Sequence, residues 1–394
     1  MLDGFAGQRV ASQVIRNVLG RGWVPHAYLI HGPRGVGKAR AALSLGRVLA
    51  CHAPVIGRED MAPCGGCPSC RLAFRPGSHH DLVCIEPLPP ESKSAGDASD
   101  EGPSADEQIS VAGGVVRVEQ VREAERALNR SLVAGRRRVC IVPDAERLCR
   151  QPAAGNAFLK TLEEPPSNTV IILTTSNMSD LLPTMISRCL LLPFVAVMDD
   201  ALVHDLQELT TGPAGSLLDD THVTREQAEL AGRVSAGRRA FAEALVARPQ
   251  LGVTRQAVLD IFRDAFTGDP LSTLRAPDRL ADLCIAWWAG TEGVDVGDGI
   301  GAQAKERILR HAVPEVLSLL ESYLRDMIVS AFGGDDGNLI NLDRVGHIRY
   351  DAAQMDVRSI SRRLEVLATT RRMVGQNASC RLALEVALTK MRCA

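Results

Sequence analysis

Short continuous apolar runs alternate along the first half of the chain with longer stretches in which apolar positions recur every three or four residues. Ala27 to Ile30, Asp81 to Ile85, Val139 to Val142, Val170 to Thr174 and Leu190 to Pro193 are too short and too uniformly apolar for surface helices, and they read as buried strands. Between them, Val10, Val14, Ile15 and Val18 mark one helical face, and Val118, Val121, Ala124, Glu125 and Leu128 mark another. Helices are also predicted over Arg40 to Ala50, through Ala157, Leu159 and Leu162 up to the double proline Pro165-Pro166, and over Leu181 to Ile186. Five strands alternating with helices predict a parallel sheet covered by helices over residues 1–197. From about Met198 the pattern becomes helical and rich in Ala and Leu, which predicts a small helical domain over 198–250 and an all-helical domain over 251–394. Ala228 to Val246 is expected to be helical in the smaller domain, and Val313 to Val329, Ile360 to Met373 and Ala378 to Met391 in the larger, with Trp287 and Trp288 in the core. Two stretches break the pattern. Glu86 to Gly114 is Pro, Ser, Gly, Ala and acid with Lys93 as its one base, the composition of a disordered solvated loop. Arg136-Arg137-Arg138 reads as a solvated basic turn before a strand.

Bulk composition narrows this little. A chain of 394 residues with 45% hydrophobic and 23% charged residues suits two or three globular domains. A formal net charge of −2 supplies no strong field for nucleic acid or a membrane surface. With no signal-like segment and no apolar run near the ~18 to 20 residues of a membrane span, a cytoplasmic location is expected. In such a compartment the 11 cysteines are not a disulfide framework, so clustered ones point to metal.

The chemistry starts at His31 to Ala39, HGPRGVGKA, set between the first predicted strand and a helix. That is the context of a phosphate-binding P-loop. Gly32, Gly35 and Gly37 let backbone N–H groups face an anion, the helix N-terminus adds positive potential, and Lys38 reaches the outer phosphates. The hydroxyl residue that ligates Mg²⁺ at the end of such a loop is replaced by Ala39. A second departure agrees with it. Where a P-loop hydrolase ends a strand in an Asp for Mg²⁺ followed by a Glu, this chain has Pro143 and Asp144. Thr174, Thr175 and Asn177 stand at the carboxyl end of a strand, where α/β sheets place ligand contacts.

Cys51, then Cys64-Gly-Gly-Cys67-Pro-Ser-Cys70, gives two overlapping C-x-x-C pairs and a fourth thiol at the end of the preceding helix. Four thiolates suit a tetrahedral Zn²⁺ with no open position, hence a structural site. Gly, Gly, Pro and Ser between the cysteines offer neither bases nor aromatics for DNA. The nearby His79 and His80 are not needed as ligands, and Cys84, Cys140, Cys149, Cys189, Cys284, Cys380 and Cys393 are scattered core or surface thiols.

NAFLKTLEEPP at 156–166, the Thr174-Thr175 strand and Ser187-Arg188-Cys189, taken in order, resemble the bacterial clamp-loader subunits of the AAA+ class, as does the cysteine module after the P-loop helix. The resemblance is strong over residues 1–195 and returns at Asn377 to Met391, which is similar to the family's last collar helix. It implies an AAA+ domain with a helical lid and a helical collar. It also implies a place in a five-membered ring that opens the sliding clamp and sets it on primed DNA, driven by ATP. Arg188 would then be an arginine finger acting in trans on a neighbouring subunit's ATP, and Thr174 or Thr175 a sensor. Gly237-Arg238 lies where the class often carries a second sensor arginine, a role left open. Ala39 and Pro143-Asp144 match a member that has kept the arginine and lost its own hydrolysis, while Lys38 and the three glycines leave room for ATP or ADP. A hydrolysing motor subunit, a stand-alone P-loop ATPase and a zinc-dependent nucleic-acid binder are the alternatives.

Overall fold

A computed structural model describes residues 4–5, 7–57, 61–88, 114, 116–197, 200–208, 223–267, 270–293, 301–376 and 378–393. They form two compact units, the first from the described residues up to 202 together with Arg238–Ala240, the second from 203–237 and 241 onward.

In the first unit, α1 (Arg9–Gly20), β1 (Ala27–His31) and α2 (Lys38–Ala50) lead into a hairpin, β2 (Val55–Ile56) and β3 (Met61–Ala62), and a single turn, α3 (Pro68–Arg71). Then come β4 (Leu82–Cys84), α4 (Val118–Leu128), β5 (Arg138–Val142), α5 (Glu146–Cys149), α6 (Pro152–Glu163), β6 (Thr169–Thr175), α7 (Pro183–Ile186) and β7 (Leu190–Pro193). Five of the strands make one parallel sheet in the order β4-β5-β6-β1-β7, with β6 central and β1 between β6 and β7, paired Ala27 to Ile171 and Tyr28 to Leu190. This is the expected α/β architecture. Successive strand residues face opposite sides, so one apolar run feeds two cores. Tyr28, Ile30, Val139, Ile141 and Ile172 pack with Ile15, Ala41 and Leu45 of α1 and α2. Leu29, Cys140, Val142, Ile171 and Leu173 pack with Val121 and Leu128 of α4 and Phe158 and Leu162 of α6.

Three expectations shift. The face of α1 is Ala11, Ile15 and Leu19, and Val10 is exposed. The helix expected over 181–186 is the four-residue α7, because Pro183 starts it and a 3₁₀ turn precedes it. Arg138 is no solvated turn: it is buried, opens β5, and donates to Asp81 Oδ1 at 3.0 Å. The Asp81 carboxylate also accepts from the N–H groups of Val133, Ala134 and Gly135. Burial alone would raise its pKa, yet those N–H groups and the guanidinium outweigh burial and hold it below the usual carboxylate range. The loop expected over 86–114 lies almost wholly outside the described residues.

At the outer edge of the sheet, the side-chain amide of Gln8 donates to Val195 O at 2.7 Å and accepts from Val195 N at 2.9 Å, just past β7.

After α8 (Asp200–Glu208), the remaining described elements are helical. They are α9 (Arg225–Val234), α10 (Arg239–Ala247), α11 (Pro249–Thr267), α12 (Pro270–Glu292), α13 (Ala302–Ala331), α14 (Val345–Gln354), α15 (Val357–Gly375) and α16 (Cys380–Cys393). Trp287 and Trp288 are buried, as the sequence suggests. A polar seam along α11 ties it to residues 341–351. Arg255 donates to Asp343 Oδ2 at 2.7 Å and Arg344 to Asp260 Oδ1 at 2.5 Å. Arg263 meets both oxygens of Asp351 at 2.6 and 2.8 Å, and Tyr323 donates to the same carboxylate at 2.6 Å. No helix among the described residues is long and apolar enough to cross a membrane.

Candidate functional site

The loop from β1 to α2 takes its shape from its glycines. Gly32, at φ +153°, passes so close to Phe194 that a Cβ there would lie 2.0 Å from the Phe194 carbonyl oxygen. Gly37 caps α2 from the left-handed region at φ +91°, a conformation that strains any L side chain. Lys38 is the first residue of α2, and its ammonium donates to Gly32 O at 2.8 Å, Pro33 O at 2.7 Å and Ser176 Oγ at 3.0 Å. Burial pushes its pKa down to about 8, with Asp144 and Glu146 pulling back upward and Arg34 adding to the depression. The loop tip is also engaged: Ala240 N donates to Gly35 O at 3.0 Å, and a Cβ at Gly35 would come within 3.3 Å of the Arg238 Cβ. Arg238, whose role the sequence leaves open, thus borders the loop.

Thr174 and Thr175 are buried at the carboxyl end of β6. Thr174 Oγ1 accepts from Asp144 N at 3.2 Å, and Thr175 Oγ1 donates to Asn177 O at 3.0 Å. The next hydroxyl, Ser176, is the one that meets Lys38, and Ser176 N donates to Glu146 Oε1 at 3.3 Å. Sequence reasoning missed Ser176 and Glu146. A third hydroxyl directly after Thr174-Thr175 was the available signal for the first, and Glu146 had none, lying past the expected acidic pair. Asp144 itself sits at φ +46°, and its carboxylate faces Arg147 at 3.4 Å. Ala39 and Pro143 place no oxygen side chain at the two positions where such a loop holds a divalent metal.

The four cysteines converge. Cys51 follows α2, Cys67 caps α3 and Cys70 lies within it, and the sulfurs of Cys51, Cys64, Cys67 and Cys70 all fall within 4.8 Å of one another. Sulfur pairs stand 3.6, 3.9 and 4.0 Å apart, close to the ~3.8 Å edge of a tetrahedron with bonds of about 2.3 Å. Backbone N–H groups of Gly66 and Cys67 hold the Cys64 thiol below the ordinary cysteine range, as a metal ligand needs. His79 is turned away from this duty: Nδ1 accepts from Asp81 N at 3.2 Å, so Nε2 donates to Ser69 Oγ at 2.9 Å.

Arg188 ends the turn after α7, partly exposed. Its Nη1 donates to Thr184 O at 2.8 Å, and its Nη2 meets Glu163 Oε1, at the last residue of α6, at 2.7 Å. Glu163 is a further residue that the sequence did not single out.

Residues 7–197 match the family model described as DNA polymerase III, delta subunit. Over these residues the chain is similar to the clamp-loader subunits of DNA polymerase III. The DNA polymerase III subunit delta' of Pseudomonas aeruginosa is 33% identical over 170 residues, 43% of each chain. Subunit tau of Escherichia coli is 28% identical over 220 residues, 56% of this chain and 28% of the relative. Subunit delta' of Bacillus subtilis is 28% identical over 220 residues, 55% of this chain and 57% of the relative. The matches therefore span less than two thirds of these relatives' lengths. A DNA polymerase III gamma subunit-related protein of Thermotoga maritima aligns over 96% of this chain and 98% of its own, at 16% identity and a TM-score of 0.45.

Proposed function

We propose that the protein is a delta-prime-like member of the bacterial replicative clamp loader. It joins delta and gamma or tau subunits in a hetero-pentameric ring that loads the sliding clamp onto primed DNA. Its contribution to chemistry is Arg188, presented in trans to the ATP of a neighbouring subunit. A guanidinium at a γ-phosphate stabilises transition-state charge and is worth ~10³ to 10⁵ in rate in well-characterised cases. The single observation that carries this reading is the pairing of a partly exposed arginine after α7 with a P-loop that lacks both metal-holding side chains. Hydrolysis by this chain is lost with Ala39 and Pro143, while Gly32, Gly35, Gly37 and Lys38 still bind ATP or ADP, with Thr174 and Thr175 as the sensor strand.

The thiolates of Cys51, Cys64, Cys67 and Cys70 hold a structural Zn²⁺, which their near-tetrahedral spacing supports. When bound, the ion fixes the module between α2 and β4 and has no open coordination position for catalysis. Residues 198–250 act as the lid and 251–394 as the collar of the assembled ring, in the cytoplasm beside the nucleoid.

The test is ATP turnover by this chain alone and mixed with a gamma- or tau-type ATPase subunit, clamp and primed DNA, wild type against Arg188→Ala. Silence alone, stimulation on mixing, and at least a ~10-fold loss in the variant with assembly intact are the expected results. Turnover by the isolated chain would make it a motor subunit, and an unchanged rate in the variant complex would remove the finger role.

A further inference from the structure

Glu163 occupies a place that helix energetics disfavours. It is the last residue of α6, next to Glu164 at the helix C-cap and the prolines that stop the helix. The C-terminal end of a helix carries negative potential, so a carboxylate there costs rather than contributes. Glu163 does not repay this cost within its own helix. Its Oε1 lies 2.7 Å from Arg188 Nη2, while Nη1 of the same guanidinium is taken by the Thr184 carbonyl at 2.8 Å. The two terminal nitrogens are thus held by acceptors on two different elements, α7 and α6. Nη1 also reaches the neighbouring Ser187 Oγ at 3.4 Å, so of five N–H donors these contacts use two on Nη1 and one on Nη2. The remainder can still meet a phosphate.

From this geometry we propose that Glu163 is the positioning residue for Arg188. The inference rests on the finger reading of the preceding subsection and adds to it a second residue from another motif. The carboxylate touches neither nucleotide nor phosphate. It acts through Arg188, cutting the rotamer freedom of a long side chain so that the guanidinium is already aimed when a neighbouring subunit arrives. An exposed ion pair stabilises a fold very little, so its removal leaves the fold and the assembly unchanged. Misplacement of a catalytic group by about 1 Å is far more expensive in rate.

The experiment measures stimulated ATPase of the reconstituted complex with this chain as wild type, Glu163→Ala, Glu163→Gln, Arg188→Ala and the Glu163→Ala, Arg188→Ala double variant, with assembly followed by size-exclusion chromatography. Glu163→Ala is expected to lower kcat about 3- to 10-fold with KM for ATP nearly unchanged, and Glu163→Gln, which keeps an acceptor oxygen, to fall between it and wild type. In the Arg188→Ala background the Glu163 change should have no further effect, because its only route to the reaction is gone. An equal fold-loss in both backgrounds would assign Glu163 to structure and overturn the proposal, as would full activity of Glu163→Ala beside an impaired Arg188→Ala. If Arg188→Ala itself is fully active, the finger reading fails and takes this inference with it. Should Glu163→Ala fail to assemble, the near-isosteric Glu163→Gln decides by the same comparison.

Discussion

The two units solve the same problem with different materials. The first closes its core by burying alternate strand residues against the flanking helices, and among its described residues the fully buried ion pair is Arg138 with Asp81. The second is helical, yet its α11 is tied down by a row of charged partners: Arg255 with Asp343, Arg344 with Asp260, and Arg263 with Asp351 and Tyr323. A sheet offers its backbone hydrogen bonds across the whole core, so side chains are free to be apolar. Helices keep theirs internal, and a seam of directional side-chain pairs can then fix which face meets which neighbour. The candidate chemistry keeps to the first unit, where strand ends are rigid. The second unit carries registry.

The sharpest way to break that contrast is Asp351→Ala. It strips Arg263 and Tyr323 of a shared, fully buried partner and should cost about 3–5 kcal/mol in urea unfolding. Buried Trp287 and Trp288 make tryptophan fluorescence the natural readout for this unit. The matching change in the first unit, Arg138→Met, should cost less, about 2–3 kcal/mol, because three backbone N–H groups remain on Asp81. If the two losses come out equal, or in reverse order, the seam has no special part in the second unit.

The proposed zinc site probes the first unit alone. Chelation or Cys70→Ala should lower its melting temperature by roughly 5 °C or more while leaving phosphate binding intact, since a closed thiolate site has no route to the P-loop. An unmoved melting temperature would count against a bound structural ion.

The smallest effect expected is one of pH. Lys38 is depressed to about 8, so its ammonium is fully formed below that value and lost above it. Affinity for ADP or inorganic phosphate should fall about tenfold between pH 7 and pH 9, following the protonated fraction. The stability term has the opposite sign. A lysine whose folded pKa lies below its unfolded one leaves the unfolded chain binding more protons between about pH 8 and 10.4, so the fold gains from rising pH in that window. Titration calorimetry at several pH values separates the two, and a flat affinity profile would show that Lys38 does not carry the anion.

How much of this was legible beforehand follows from the range of the forces involved. The strands, the glycine turn, the cysteine cluster and the arginine after α7 are written locally, in runs and spacings of a few residues, and all were readable. Arg138 was misread because Arg136 and Arg137 beside it argued for solvent, and its partner Asp81 is 57 residues away. Ser176 was passed over for the two threonines before it, although only the fold decides which of three consecutive hydroxyls turns toward Lys38. Glu163 sat inside a motif already noted, but its meaning depends on Arg188, 25 residues on, reached through a strand and a turn. The seam of the second unit was invisible for the same reason, with partners 84 to 88 residues apart along the chain. Charge pairs of that separation leave no periodicity to read.

The two bonds of Gln8 to Val195 have a consequence for the company the protein keeps. β7 is an outer strand of the sheet, and the residue after it turns inward, Phe194 N donating to His31 O at 2.8 Å. Val195 then presents its N–H and C=O away from β1, the arrangement that recruits a stray strand from another chain and seeds aggregation. One amide side chain satisfies both groups at once, mimicking the missing partner strand for a single residue. A glutamine in this place therefore closes, for one residue, an edge that a strand of another chain could otherwise join.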